Sequence, residues 1–180
     1  HQNRQVEANE KAKQIIKQGL LGPINMVELT TNRNSPWGAW VWNIHPDANA
    51  KTLDWDMFQE PSPNKIPFGK EALERFFRWR CWYDYGTGLS GDLFSHDFDA
   101  LNQIMDIGIP KYASSTGGIY FYKDGRDVPD VWNATLEYPD KDLTVLYSAT
   151  LSSNNPRGNR IMGHDATMQM GEIGRASCRE

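Results

Sequence analysis

The sequence predicts an α+β domain with a predominantly antiparallel sheet, and two runs late in the chain carry that prediction. Residues 131–138 and 143–151 each alternate apolar and polar side chains, the period of a half-buried strand. Only Pro139-Asp140-Lys141-Asp142 separates them, a hairpin-length link. No helical pattern intervenes, so the strands neighbour one another as antiparallel ribbons rather than as the parallel strands of a doubly wound fold. At 180 residues the chain suits one domain with a substantial core.

The elements follow in order. Residues 6–21 read as an amphipathic helix, because Ala8, Ala12, Ile15 and Ile16 recur at i, i+4, i+7 and i+8 with Lys and Glu on the other face. Gly19, Gly22 and Pro23 stop it. Residues 24–31 read as a strand. Residues 32–70 are rich in Asn, Pro and Gly and hold Trp37, Trp40, Trp42 and Trp55. A connection that long is usually functional when ordered, and the tryptophans argue for order, with Trp37, Trp40 and Trp42 packing the loop. Residues 71–77 form a short helical turn, and a longer helix starts near Ser90, its N-cap. Residues 111–116 are a candidate strand. Residues 118–122 read as a better one, running into a hairpin turn at Lys123-Asp124-Gly125-Arg126. In the last two strands Trp132, Ala134, Leu136 and Tyr138 share one side, as do Leu143, Val145, Tyr147, Ala149 and Leu151.

Composition excludes several classes. Seven each of Trp, Tyr and Phe argue against disorder. A net charge of −4 supplies no basic patch for nucleic acid. No apolar run approaches the roughly 18 residues of a membrane span. The four histidines are scattered, so no metal site is visible. Cys81 and Cys178 lie far apart in unlike contexts, and Cys81 reads as a free buried thiol. Residues 173–180 read as a non-native tail and are left out of the fold.

Residues 85–108 contain G-x-G-x-x-G at Gly86, Gly88 and Gly91, the spacing of a dinucleotide loop. Its context contradicts that reading. A dinucleotide loop follows a buried parallel strand, continuous in Val, Ile and Leu; residues 78–85 read RWRCWYDY, with three charges. No acid ends the candidate strand at 111–116, where the ribose partner belongs. Asp92, directly after the third glycine, would repel a pyrophosphate.

On a helix from Ser90, Asp92, His96, Asp99 and Gln103 fall in a stripe about 60° wide, with Phe94, Phe98, Leu101 and Met105 opposite, toward the core. The stripe faces water or a cleft. Asp92 and His96, at i and i+4, can hydrogen-bond. The helix N-terminus disfavours an imidazolium there, leaving His96 the neutral form that a general base requires.

The segment GTGLSGDLFSHDFD (86–99) resembles the G-G-x-x-x-D-x-x-x-H-x-x-D motif of the glucose–fructose oxidoreductase/inositol dehydrogenase (Gfo/Idh/MocA) family. Leu53-Asp54-Trp55-Asp56 with Pro61-Ser62-Pro63 resembles its L-D-W-D…P-x-P stretch, and RFFRWR (75–80) its R-F-x-N-W-R. Gly117-Gly118-Ile119-Tyr120 with Lys123-Asp124-Gly125-Arg126 resembles its G-G-I-Y…K-D-G-R run. His1-Gln2-Asn3-Arg4 looks like the sequence just past the family's cofactor domain. Thr87 replaces a usual Gly, and Arg78 stands where Asn is common.

The resemblance implies that residues 1–172 are a C-terminal substrate-binding and oligomerisation domain, an open sheet with helices packed on one face. An N-terminal Rossmann domain holding NAD or NADP, and the family's catalytic Lys, would lie upstream, as would any segment that sets the compartment, cytoplasmic or exported. It implies His96 as the proton-transfer base and Asp92 as its partner. Arg78, Trp79, Arg80 and Asp99 become candidates for contact with a sugar or cyclitol, and the open sheet face becomes a homo-oligomer interface. A close variant is a glycoside-cleaving enzyme of the same family. The alternative class is a non-catalytic carbohydrate-binding or oligomerisation module.

Overall fold

The computed structural model describes residues 6–155 and 157–170, together with the backbone of Ala176–Arg179. Residues 1–4 and the side chain of Cys178, both used above, lie outside the described residues.

Helix α1 (Glu7–Lys17) ends four residues before its apolar pattern does, because the stop acts at Gly19, which takes φ +74°. Strand β1 (Ile24–Asn32) follows. The long connection contains one helical turn, α2 (Trp55–Phe58), and ends in α3 (Lys70–Phe77). A 3₁₀ turn at Trp79–Cys81 and a π-helical turn at Ser90–Phe94 lead into α4 (Ser95–Met105). Strands β2 (Tyr112–Gly118), β3 (Val131–Tyr138), β4 (Leu143–Thr150), β5 (Asn159–Gly163), β6 (Thr167–Met170) and β7 (Ala176–Arg179) complete the chain.

The strands form one open sheet in the order β2-β3-β4-β1-β5-β6-β7. Every pairing is antiparallel except β1 with β4. Parallel neighbours need a crossover, and residues 33–142, with all of α2 to α4, supply it. The inward faces of β3 and β4 bury Ala134, Leu136, Tyr138, Leu143, Val145, Tyr147 and Ala149, the alternation that the sequence showed. Phe94, Phe98 and Met105 pack on that core, and Leu101 is buried in it. Helix α1 packs in turn on α4. The helices thus cover one face of the sheet. The other carries Met26, Thr144 and Glu137 in one cross-strand row and Glu28, Leu146 and Thr135 in the next.

Two strand expectations need correction. The strand expected at 111–116 forms as residues 112–118, but the one expected at 118–122 does not: residues 119–122 leave the sheet because Asp130 captures their backbone. Its Oδ1 accepts from Tyr120 N (2.8 Å), and its Oδ2 from Phe121 N (2.8 Å) and Tyr122 N (2.6 Å). Strands β5 and β6 escaped the sequence reading because each is short and half-polar, and their pairing, not their pattern, makes them strands.

The turn at 123–126 is more than a turn. Arg126 is buried completely, its Nη2 donating to Asp124 Oδ2 (2.8 Å) and to Ala39 O (2.9 Å). Desolvation is the largest influence on Asp124, but Arg126 outweighs it and holds the carboxyl below its usual range. This pair, its arginine buried and its carboxylate partly exposed, ties the 119–130 excursion to the tryptophan loop. Trp40 is 4% exposed and packs the loop as expected. Trp37 and Trp42 differ: they are 51% and 43% exposed and stack on each other, centroids 6.0 Å apart.

Candidate functional site

The stretch before Gly86 is α3 and the 3₁₀ turn, not a strand, so the glycines have no β–loop–α setting. They serve close packing instead. Gly88 takes φ +58°, and a Cβ there would lie 2.9 Å from Val128 Cβ, so the buried 119–130 excursion presses directly on the loop. Ser90 is not an N-cap; its hydroxyl donates to Thr87 O (2.8 Å). The helix begins with a π turn, and such turns recur at functional sites. It changes the register of Asp92 against everything after it.

Asp92 has a partner there that the sequence pattern does not name. Arg80 Nε donates to Asp92 Oδ1 at 2.7 Å, with the carboxylate side chain 18% exposed. The Arg80 guanidinium also lies over the Trp79 ring, 4.1 Å from its centroid. The 3₁₀ turn thus places Arg80 against Asp92, with Trp79 stacked under the guanidinium. Arg78 points elsewhere: its Nη1 pairs with Glu74 (2.6 Å) and its Nε donates to Trp42 O (3.0 Å). His96 and Asp99 are half-buried on α4, the helix on which α1 packs, so their stripe is not an open, solvated face.

The sequence reading passed over Asp97. It falls at i, i+4, i+7 with Leu101 and Ile104, both buried, which puts a carboxylate on the sheet-facing stripe; that misplaced charge was the available signal. Thr31 Oγ1 donates to Asp97 Oδ2 at 2.8 Å, and Asn159 adds a second side-chain bond. Burial raises its carboxyl above the usual range, against the opposing pull of Thr31, His96, Arg33 and Asn159. Burial likewise raises the Tyr147 phenol nearby.

Other motif residues are structural. Asp54 caps α2 by accepting from Met57 N (3.0 Å), and Trp55 is buried, its Nε1 donating to Ile66 O (2.9 Å). Arg75 bridges Glu71 and Asp84 over the Trp82 ring. Cys81 is buried against the carbonyls of Ala39 and Trp40, and burial pushes its thiol up to about 11. In the folded chain the peptide carrying Cys81 should resist iodoacetamide at pH 8 and react only after denaturation; equal rates in both states, by mass spectrometry, would contradict this packing.

A depression of about 390 Å³ lies beside the π turn, walled by Thr87, Ser90, Phe94, Trp132 and Leu136 among others; Asp92 and His96 are not among its walls. Among the described residues no group of His, Cys, Asp and Glu could hold a metal ion, and no helix is long and apolar enough to cross a membrane.

No family model and no curated protein matches the chain; its likeness is to solved structures. The WlbA dehydrogenase from Bordetella pertussis, solved with NADH and UDP-GlcNAcA, is 16% identical with a TM-score of 0.62, covering 97% of this chain and 44% of that one. An oxidoreductase from Thermotoga maritima is 14% identical with a TM-score of 0.59, covering 94% and 40%. The yvaA protein from Bacillus subtilis is 20% identical with a TM-score of 0.58, covering 95% and 37%. The chain thus shares its fold with part of these proteins and spans less than half the length of each.

Proposed function

We propose that this chain is the substrate-binding and catalytic-base domain of an NAD(P)-dependent oxidoreductase of the Gfo/Idh/MocA type, acting on a hydroxyl of a sugar, cyclitol or glycoside. The observation that carries the reading is the Arg80–Asp92 ion pair at 2.7 Å, one helical turn before His96 in the motif segment. It is a fixed charge pair held by a turn and a helix start, four residues before the imidazole that this reading makes the base. The fold shared with dehydrogenases and oxidoreductases supports it.

The residues of this chain do not fit a dinucleotide. The glycines at 86–91 face Val128 and Thr87 rather than a phosphate cradle, so NAD(P) belongs to residues outside this chain. The nicotinamide would supply the hydride acceptor. In this reading the contribution of this chain is proton removal: His96 takes the substrate hydroxyl proton, and Asp92, oriented by Arg80, stabilises the imidazolium that results. Trp79 offers a sugar ring whichever of its faces the Arg80 guanidinium leaves open; Arg80 and Asp99 remain the polar candidates, and Arg78, turned to Glu74 and Trp42, would meet substrate only after rearranging. Asp92 and His96 do not line the depression in this chain, so the cleft that this reading needs is one that a cofactor domain would complete. The sheet face bearing Met26, Leu146 and Thr135 suits pairing with a second copy.

Two measurements test this. The 180-residue chain, titrated with NAD in a calorimeter, should show no binding heat; tight binding would return residues 86–91 to a cofactor role. The full-length protein should produce NADH or NADPH from at least one member of a panel of sugars and cyclitols. Release of an aglycone without net cofactor reduction would identify the glycoside-cleaving variant, and neither outcome would leave a non-catalytic module.

A further inference from the structure

Asp97 is adjacent to the proposed base, yet it turns the other way. Successive residues on an α-helix project about 100° apart. Asp97 points into the sheet, where Thr31 of β1 donates to it at 2.8 Å and Asn159 of β5 bonds it as well. Asn159 is itself held by β1, its Oδ1 accepting from Thr30 N at 2.8 Å. Phe94, one turn earlier, packs on Tyr147 at 4.9 Å between centroids, so this end of α4 has both an apolar and a polar tie to the sheet. An apolar contact resists separation but tolerates rotation; a hydrogen-bonded carboxylate does not. The tie therefore fixes the azimuth of the helix where His96 leaves it.

We propose that Asp97 is a positioning residue for His96: clamped by Thr31 and Asn159, it sets the direction in which the imidazole projects and places a carboxylate charge beside it. This rests on reading His96 as the base. Burying an acid on an apolar stripe is unfavourable by itself, and burial does raise its carboxyl, while the bond to Thr31 alone could be made by the neutral amide of Asn. The charge is the part that only Asp supplies.

The other charges around this end of α4 stay constant in the test. They are Arg33 after β1, Asp92 with Arg80 before the helix, Asp99 on α4, the Tyr147 phenol on β4, and Glu7, Glu10, Lys11, Lys13 and Lys17 on α1. The His96 Cε1–H resonance of the 180-residue chain is titrated by NMR in the parent, in Asp97→Asn and in Thr31→Val. Asp97→Asn keeps the shape and should lower the His96 midpoint by ~0.3–1 pH unit, because a negative charge that favours imidazolium is gone. In the full-length enzyme the acid limb of log kcat/KM should move down by the same amount. Thr31→Val should lower kcat about 10-fold with KM little changed, and Thr31→Ser should restore it. An unmoved midpoint in Asp97→Asn together with an unmoved profile overturns the proposal. The NMR titration needs no catalysis, so it survives failure of the functional reading; conversely, if His96→Ala abolishes turnover while Asp97→Asn and Thr31→Val leave rate and profile intact, only the role of Asp97 is lost.

Discussion

Replacing His96 with alanine in the full-length enzyme is expected to lower turnover at least about 100-fold, some 2.7 kcal/mol of transition-state stabilisation. The reasoning is chemical. A sugar hydroxyl is a very weak acid, and hydride cannot leave its carbon readily until the oxygen sheds its proton. An imidazole that is neutral near pH 7 is the side chain suited to receive it. Asp92 is held at 2.7 Å by Arg80, so alanine at position 96 leaves an ion pair that can orient substrate but has no base to serve. KM should therefore change much less than kcat. A variant that turns over at a near-normal rate, with the fold intact by circular dichroism, removes His96 from the mechanism and with it the main chemical ground of the assignment.

Asp130→Ala should be the most destabilising single change outside the hydrophobic core, by about 3–4 kcal/mol. The side chain is fully buried, and its two oxygens satisfy three successive backbone N–H groups at Tyr120, Phe121 and Tyr122. Its own backbone closes the end of the sheet: Asp130 N donates to Gly118 O (3.1 Å) and Leu151 N donates to Asp130 O (2.9 Å). Removing the carboxylate leaves three donors unpaired in a place where Arg126, also buried, loses a nearby negative charge. Asp130→Asn, which keeps one acceptor oxygen, should lose roughly half as much. The effect should propagate, because Val128 on the same excursion packs against Gly88 and so steadies the loop before the π turn. Urea unfolding of the two variants measures this; a loss under about 1 kcal/mol for alanine would mean that the three amides find other acceptors.

The outcome at the site depended on what kind of interaction placed each residue. The apolar side of α4 was legible because helical periodicity is local: 3.6 residues per turn puts Phe98, Leu101 and Met105 inward whatever the rest of the chain does. The pairing of Arg80 with Asp92 left no such trace, since Asp92 sits in a π turn that departs from the register the 100° count assumes. Asp97 was visible as a charge on an apolar stripe, yet its partners Thr31 and Asn159 lie 66 residues before it and far after it on another strand. Hydrogen bonds across such separations leave no periodic trace.

The same division runs through the whole chain. Its own residues determined the α+β class, the alternating strands β3 and β4 with their short link, the amphipathic first helix, and the rejection of the glycine fingerprint as a cofactor loop, because each follows from side-chain pattern and backbone preference within a few residues. Tertiary structure alone decided that β1 lies parallel to β4, that residues 119–122 leave the sheet for the carboxylate of Asp130, that Arg126 is buried, and that Trp37 and Trp42 turn outward. The physical reason is that long-range pairing goes to whichever donor, acceptor or apolar face can be satisfied once the core has closed, and that competition is settled only among residues brought together by the fold.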